Sequence, residues 1–457
     1  MNTQKADKSD AWNCSRWAIL AGVLVTLGTA ALFLTYYQLR FGLNFPPSAT
    51  GDEPQYDSLG WELAHGRGYQ IDTGDTTFRQ PYDAAARRNP LYNLGRPVHG
   101  PITFRPPAFP VAIAGTNLLL GRQFWAIRLG NALSMAFVLG TLIAIFLCEE
   151  KWGAGLAAIP LFVALDTRTR FFGRTILTEP LAALLVAALC VALALLIHER
   201  TRWRLVLSAL VTGLLILTRT VFIVWLPGLT LLLFWSGRRT RKSKKISTAL
   251  GESIAWASLV LAILSPWAIR NCLVLGEFSP LGTQGASQLS AAFGDAAWEN
   301  NGLWTNLEAD GFFADQLSPD MSLLEREKIT AEISKARAID WVRTHPIKAA
   351  MLVPMKMFQE LRPRTVSEGV LLLLAVVGIG AAWRSLIGKV GAALWILNLL
   401  AIGLTWSVEG RFLVPMLFVQ HYYAAHGTIS LLRAIGLSRK GKPVTLPQSP
   451  HSLVPAE

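Results

Sequence analysis

The sequence predicts an all-α polytopic membrane protein, and three observations carry that expectation. First, 52% of the 457 residues are hydrophobic and 16% are charged, against about 25% charged in a typical soluble domain. The mean hydropathy is +0.37. Second, apolar segments recur along the chain at 17–37, 124–148, 153–165, 180–197, 203–217, 221–235, 254–267, 370–383, 390–406 and 412–432, which gives about ten spans. Several are shorter than the ~20 residues of a standard span. Third, the net charge of +13 is unevenly spread. With the N-terminus inside, the pieces 1–16, 149–152, 198–204, 236–253, 384–389 and 433–457 hold 19 of the 43 Lys+Arg and 7 of the 30 Asp+Glu. Nearly the whole excess then lies on the cytoplasmic side, as the positive-inside rule asks. The basic balance is a topology signal, and no nucleic-acid partner is expected.

Residues 1–16 read as a short cytoplasmic tail. Segment 17–37 is a span and not a cleaved signal peptide, because its apolar core is long and no clean cleavage site precedes Tyr36. Loop 38–123 follows outside, rich in Gly, Pro and Arg. Near its start runs the stretch 51–69, GDEPQYDSLGWELAHGRGY. Asp52 and Glu53 stand side by side there. Tyr56, Leu59 and Leu63 share one face of a short helix, which Gly66 and Gly68 end. Asp52 followed by Gln55 also reads as a capping box, with Pro54 suited to the first turn. The later part of the loop, 103–121, is broken at its start by Pro106, Pro107 and Pro110 and continues as a juxtamembrane helix. If that stretch crossed the membrane, every later span would change direction and the basic run 238–245 would lie outside.

Segment 124–148 carries Arg128 and Asn131 near its outer end, and 153–165 returns outward. Stretch 166–179 holds Arg168, Arg170, Arg174 and Glu179. Each such charge costs ~2.5–3.5 kcal/mol in hydrocarbon, so this is a second external loop. Arg219 separates two short apolar runs. One continuous helix there would reach ~50 Å, well past a ~30 Å hydrocarbon core, so two spans are expected. Segment 254–267 leads into 271–369, a third external loop. It is acidic at first, then helical and mixed in charge at 325–341, then interfacial at 347–360 with Lys348 and Lys356. The last spans enclose 405–412, TWSVEGRF, outside. Residues 433–457 form a basic cytoplasmic tail expected to be disordered. The organisation is thus one transmembrane domain, 17–432, between two tails. Cys14, Cys148, Cys190 and Cys272 are scattered without metal spacing, and no disulfide framework is implied.

Asp52, Glu53, Glu179, Arg105, Arg174, Arg219, Arg270 and Arg411 all fall near outer span ends. Acids and arginines at one membrane face suit a substrate with an anionic head at the interface and a hydroxyl to activate. A polyprenyl-phosphate sugar supplies such a head. Arginine pairs with phosphate through its planar fork, and a carboxylate serves the acceptor hydroxyl as general base. Taken singly, each arginine also suits snorkelling or an internal ion pair, and Glu179 before Pro180 suits a helix cap.

The ordered set of short motifs resembles the GT-C glycosyltransferases of the protein-mannosyltransferase type, family 39, which include the lipid A aminoarabinose transferases. The matching pieces are Asp52-Glu53 with Tyr56 and the Gly-Arg-Gly-Tyr run ending at Tyr69; Arg105-Pro106-Pro107 with Pro110; Arg128 with Asn131-Ala132; Thr178-Glu179-Pro180; Thr218-Arg219; Pro266-Trp267 with Arg270-Asn271; and Glu409-Gly410-Arg411-Phe412 with Pro415. They run in the family's order over 17–432. The resemblance implies a GT-C fold and inverting transfer of a sugar from a polyprenyl-phosphate donor. The acceptor would be a glycolipid, polysaccharide or protein at the outer face of a cell's inner (plasma) membrane. It implies Asp52 as base with Glu53 beside it, and a basic residue before Pro-Pro near the lipid phosphate. Relatives often carry His or Lys at that place, where this chain has Arg105. Arg105 and Arg270 are the expected phosphate contacts, with Glu179, Tyr56, Arg219 and Arg411 completing the substrate site. Loop 271–369 takes the place of the loop that shapes the acceptor site, and it has no sugar-binding repeat domain.

Two other classes compete. A transporter or flippase of lipid-linked substrate calls for broken helices, midplane charges and internal repeats, and the sequence displays none of these. A non-catalytic envelope-assembly subunit would have no use for the Asp-Glu pair. No cofactor is required, although Asp52, Glu53 and Glu179 are the right ligand type for a divalent cation.

Overall fold

Helices dominate because apolar stretches of this length satisfy their backbone groups only internally. The computed structural model describes residues 15–240, 246–318 and 320–436. The expected tails and the basic run 238–245 fall largely outside them. In chain order the helices begin with α1 (Arg16–Arg40), α2 (Glu53–Ala64), α3 (Thr76–Ala86), α4 (Ala108–Leu120), α5 (Phe124–Cys148) and α6 (Trp152–Pro160). Then come α7 (Thr167–Phe172), α8 (Glu179–His198), α9 (Arg202–Thr218), α10 (Trp225–Thr240) and α11 (Ile246–Leu275). Three short helices follow, α12 (Gln284–Ser287), α13 (Leu289–Ala292) and α14 (Asp295–Glu299). The series ends with α15 (Leu323–Thr344), α16 (Pro346–Leu361), α17 (Val366–Ala382), α18 (Leu386–Leu404) and α19 (Leu417–Ala434). A single antiparallel ladder, β1 (Gln70–Asp72) against β2 (His99–Pro101), lies in the first loop. That loop offered no strand periodicity, and three-residue strands are too short to show any.

The chain is a multi-pass membrane protein, with fewer full-length spans than the ten expected. All ten apolar segments are largely helical, but six helices among the described residues are long and apolar enough to cross alone. A seventh arises if α16 and α17, bent by 109° at their junction, count as one broken span. Length is what α9 (17 residues) and the 152–165 segment lack. Composition separates α19, which buries Gln420, His421 and His426 in the protein interior. The expected break at Arg219 is present. α9 stops at Thr218, Arg219 is extended, and a 3-10 turn, Thr220–Val224, restarts the chain.

One core joins α1, α5, α8, α9, α11, α17, α18 and α19 through buried Leu, Val, Phe and Ala side chains. Close helix approach uses small residues, as membrane helices do. Gly378 and Gly427 face one another where α17 crosses α19, and a Cβ on either would run into the other helix's backbone. Cys190 and Cys272 are free thiols, whereas Cys148 is disulfide-bonded.

The first loop is a small layered unit on the bundle. Its helix α2 packs on α4 through Tyr56, Phe109 and Ile113. Gly60 permits the approach, because a Cβ there would collide with Ile113. Under α2 lies a buried ion pair, in which Arg122 Nη2 donates to Asp57 Oδ2 at 2.6 Å. Tyr82 donates to the same oxygen at 2.9 Å. α4 keeps Val111, Leu118, Leu119 and Leu120 exposed, which suits a helix lying in the interface.

Candidate active site

The start of α2 places Asp52 where a capping residue would sit, but Asp52 makes no side-chain cap. The capping-box expectation therefore fails. The carboxylate is instead divided between two arginines from distant parts of the chain. Arg105 Nη2 donates to Oδ1 at 2.6 Å, and Arg411 Nη2 donates to Oδ2 at 2.8 Å. Gln55, the other half of the expected box, accepts from Arg105 Nε at 2.7 Å. Arg105 is nearly buried, its guanidinium 5.3 Å from the Tyr56 ring centre and 4.8 Å from that of Phe104.

Glu179 ties the second half together. It opens α8, fully buried, and its Oε1 accepts from Arg411 Nε and from Arg219 Nη1 at 2.5 Å. Arg219 Nη1 also reaches Thr178 Oγ1 at 3.3 Å, and its guanidinium lies 4.9 Å from the Phe412 ring centre. Arg411 thus bridges two carboxylates. The chain of contacts runs Gln55–Arg105–Asp52–Arg411–Glu179–Arg219. Glu179 Oε2 is buried, and among the described residues it has no hydrogen-bond partner.

Burial alone would raise the Asp52 carboxyl. Arg105 and Arg411 outweigh it and hold the group well below the usual carboxylate range. Glu53 behaves oppositely: burial raises it, against the backbone bond from Ile176. Its Oε1 accepts from Ile176 N at 2.7 Å, so Glu53 faces the 173–179 loop and not Asp52's arginines. The two neighbouring acids are turned apart.

Asp52, Tyr56, Arg105, Thr178, Arg219 and Arg411 line an open cavity of ≈ 1150 Å³. Its other walls come from the first loop, including His99, and from 284–330, including Trp304 and Glu327. Glu327 is raised by burial, against bonds from Thr103 and Thr283; the Thr103 bonds tie α15 to the segment carrying Arg105, and the Thr283 bond ties it to the start of α12.

Arg270 departs from its expected place. It does not line this cavity. Nη1 donates to Ile102 O at 2.6 Å and Nη2 to Tyr69 O at 2.9 Å, so its fork is spent on main-chain carbonyls that fix the first loop. Arg128 is a scaffold residue too, donating to Leu43 O at 2.6 Å. Asn131 holds the Thr175 carbonyl at 2.6 Å. Lys356, expected at the interface, is fully buried and donates to Thr405 O at 2.7 Å. The sequence reading took Gln55 as half of a capping box and Thr178 as part of a motif, and named neither as a site residue; which arginine each would meet is set by distant parts of the chain. Of the three acids named as ligand types for a cation, Asp52 and Glu179 face arginines and Glu53 faces a backbone N–H. Among the described residues no group of three His, Cys, Asp or Glu is placed to hold a metal.

No protein-family model and no curated protein matches the chain. Two solved structures are similar to it. One is the archaeal oligosaccharyltransferase AglB from Archaeoglobus fulgidus, in complex with an inhibitory peptide and a dolichol-phosphate. It is 15% identical with a TM-score of 0.48, over 93% of this chain and 52% of that one. The other is ArnT from Cupriavidus metallidurans bound to undecaprenyl phosphate. It is 15% identical with a TM-score of 0.34, over 90% of this chain and 79% of that one. The chain spans about half the length of the oligosaccharyltransferase.

Proposed function

We propose that this protein is a GT-C glycosyltransferase that moves a sugar from a polyprenyl phosphate to an acceptor hydroxyl, with inversion at the anomeric carbon. The acceptor belongs to a glycolipid, polysaccharide or protein of the cell envelope. The site faces the exterior, or periplasm, of the plasma membrane. The observation that carries this reading is Asp52. Its carboxylate is released from helix capping and suspended between Arg105 and Arg411 on the wall of the cavity.

The chemistry follows from that suspension. A donor phosphate entering beside Asp52 competes for the same two guanidinium groups, which bind phosphate oxygens by charge-assisted bonds. As they turn toward phosphate, Asp52 loses part of the hold that keeps its pKa low. Its basicity rises toward the range that favours general-base work. The acceptor oxygen then attacks the anomeric carbon while its proton passes to Asp52. The bond from that carbon to the phosphate oxygen breaks on the opposite face, and the electron pair leaves with the phosphate onto the arginines. Glu179 is a positioning residue: it holds Arg411 and Arg219 in register. Inverting glycosidases use a carboxylate base opposite the leaving group in the same sense.

In this reading the arginines supply the positive charge a leaving phosphate needs, so transfer should persist in excess chelator. The test is product formation by purified protein from polyprenyl-phosphate sugars and envelope acceptors. Asp52→Asn keeps the side chain's size. It should fold and lose ~10²–10⁴ in rate, the usual worth of a general base. A folded Asp52→Asn protein with wild-type transfer would remove Asp52 from the chemistry. A flippase would move the lipid between leaflets and form no glycosylated product.

A further inference from the structure

The cavity wall beside the arginines differs from the rest. Gln284, Ser287, Gln288, Trp304, Asn306, Thr220 and Trp406 line it. None of these side chains is charged. Two are indoles, three are primary amides and two are hydroxyls. This wall adjoins the phosphate-competent end directly. Thr220 follows Arg219 in sequence, and its hydroxyl reaches Gln284 Oε1 at 3.4 Å. Trp406 leads into the turn carrying Arg411, its ring 6.0 Å from that of Phe412.

The wall is also fixed in place. Trp304 Nε1 donates to Gln288 Oε1 at 2.6 Å, and Trp304 N donates to Ser407 O at 2.9 Å. Leu303 and Ser407 form an isolated parallel bridge. The long external segment is thereby pinned to the loop that carries Arg411. What remains is unspent hydrogen-bonding capacity. Among the described residues Gln284 Nε2 and Asn306 Nδ2 donate to no protein acceptor, and Gln288 Nε2 makes one long contact, to Ser287 Oγ at 3.5 Å. An amide offers two donors and an acceptor with two lone pairs. Amide donors beside flat indole faces match a pyranose, which has hydroxyls around its rim and C–H groups on its faces.

We infer that this wall is the subsite for the donor's sugar, and that the sugar it takes is uncharged. The inference rests on the function proposed above. The sugar is bonded directly to the donor phosphate, so it occupies the surface next to Arg105, Arg219 and Arg411. A sugar amine would need a free carboxylate on this wall, and its seven side chains offer none. Of the carboxylates elsewhere in the lining, Asp52 takes the acceptor proton once phosphate draws its arginines, Glu308 is paired with Arg326 at 2.8 Å, and Glu327 accepts from Thr103 and Thr283. A uronate would compete with the phosphate for the same arginines. A neutral hexose or pentose makes neither demand.

The test compares polyprenyl phosphate alone with the same lipid carrying a neutral hexose, a neutral pentose, a 4-amino-pentose or a uronic acid. Binding and transfer are measured on wild type, Trp304→Ala and Trp304→Phe. Wild type should transfer a neutral sugar and discriminate against both charged ones. Trp304→Ala should bind the neutral-sugar donor about tenfold more weakly, equivalent to ~1.4 kcal/mol, with its affinity for the bare lipid phosphate unchanged. That unchanged affinity also certifies the fold. Trp304→Phe keeps an aromatic face and should recover part of the loss. Preferred transfer of the amino sugar or uronate would overturn this inference and leave the glycosyltransferase reading intact. An equal loss of bare-lipid binding in Trp304→Ala would overturn it too. No binding of any lipid phosphate by folded wild type would overturn both.

Discussion

Single residues divide by where their polar atoms are spent. Arg105 and Arg270 looked alike in sequence, each a basic residue within four positions of a proline near a span end. Arg105 gives its fork to Asp52 and Gln55 on the cavity wall, whereas Arg270 gives its fork to two carbonyls. Arg105→Ala should therefore weaken donor use about 10–100-fold, the worth of one or two charge-assisted bonds, and should also cost stability, because Asp52 loses a buried partner. Arg270→Ala should lower stability through the freed Tyr69 and Ile102 carbonyls and change donor affinity less. Donor titrations in detergent separate the two, and equal donor losses would return Arg270 to the phosphate site. The pH dependence follows from Asp52. A carboxyl held below its unfolded value of ~3.9 contributes stability above that value and loses it as pH falls through the lower folded one. Between about pH 5 and 7 Asp52 stays ionised in the free protein, so no limb of the kcat/KM profile there belongs to it. Arg411→Ala removes one of the two groups lowering it. Residual transfer in that variant should lose its low-pH activity at a higher pH than wild type, and an unmoved profile would detach the arginine from Asp52.

At the scale of elements, helices were legible and their partners were not. Apolar stretches fixed nearly every long helix, and the spacing of Tyr56 and Leu59 gave α2 its buried face. The short ladder β1–β2 left no signal. The pair Asp52-Glu53 was legible as an acidic spot, but not as two groups turned apart. That division depends on Arg411 and Ile176, which lie hundreds of positions and over a hundred positions away. No local pattern encodes such pairing. Glu53 makes its own contribution to α2, anchoring the helix start to the Ile176 N–H. A Gln at that place can accept the same bond, so Glu53→Gln should leave stability close to wild type. Glu53→Ala leaves a donor unpaired and should cost ~1–3 kcal/mol. Chemical unfolding of the two variants checks this. A Gln variant as damaged as the Ala variant would mean that the charge matters and the bond does not.

At the scale of the whole molecule, seven helix ends meet at one face. The site gathers the start of α2, the start of α8, the end of α9 and the turn before α19. The end of α11 holds the first loop beside it through Arg270, the end of α18 is held by Lys356, and the start of α5 is held by Asn44. These are the ends that the sequence reading assigned to the exterior, and fewer helices than it expected are full-length spans. Geometry says only that these ends share a side. The sequence reading chooses the side by charge, because the pieces it assigns to the cytoplasm hold 19 Lys+Arg against 7 Asp+Glu. Moving that surplus across the membrane would defy the positive-inside bias. The shorter helices therefore still have to connect alternating faces, either as thin spans or through local thinning of the bilayer. Reporter fusions decide it. Fusions after Arg202 and Arg384 should report cytoplasm, and fusions within 300–320 and at Glu409 should report the exterior. A fusion at Glu409 that reports cytoplasm would place Arg411 and Asp52 on the inner leaflet, and the envelope acceptor would have to be abandoned even if the transfer chemistry survived.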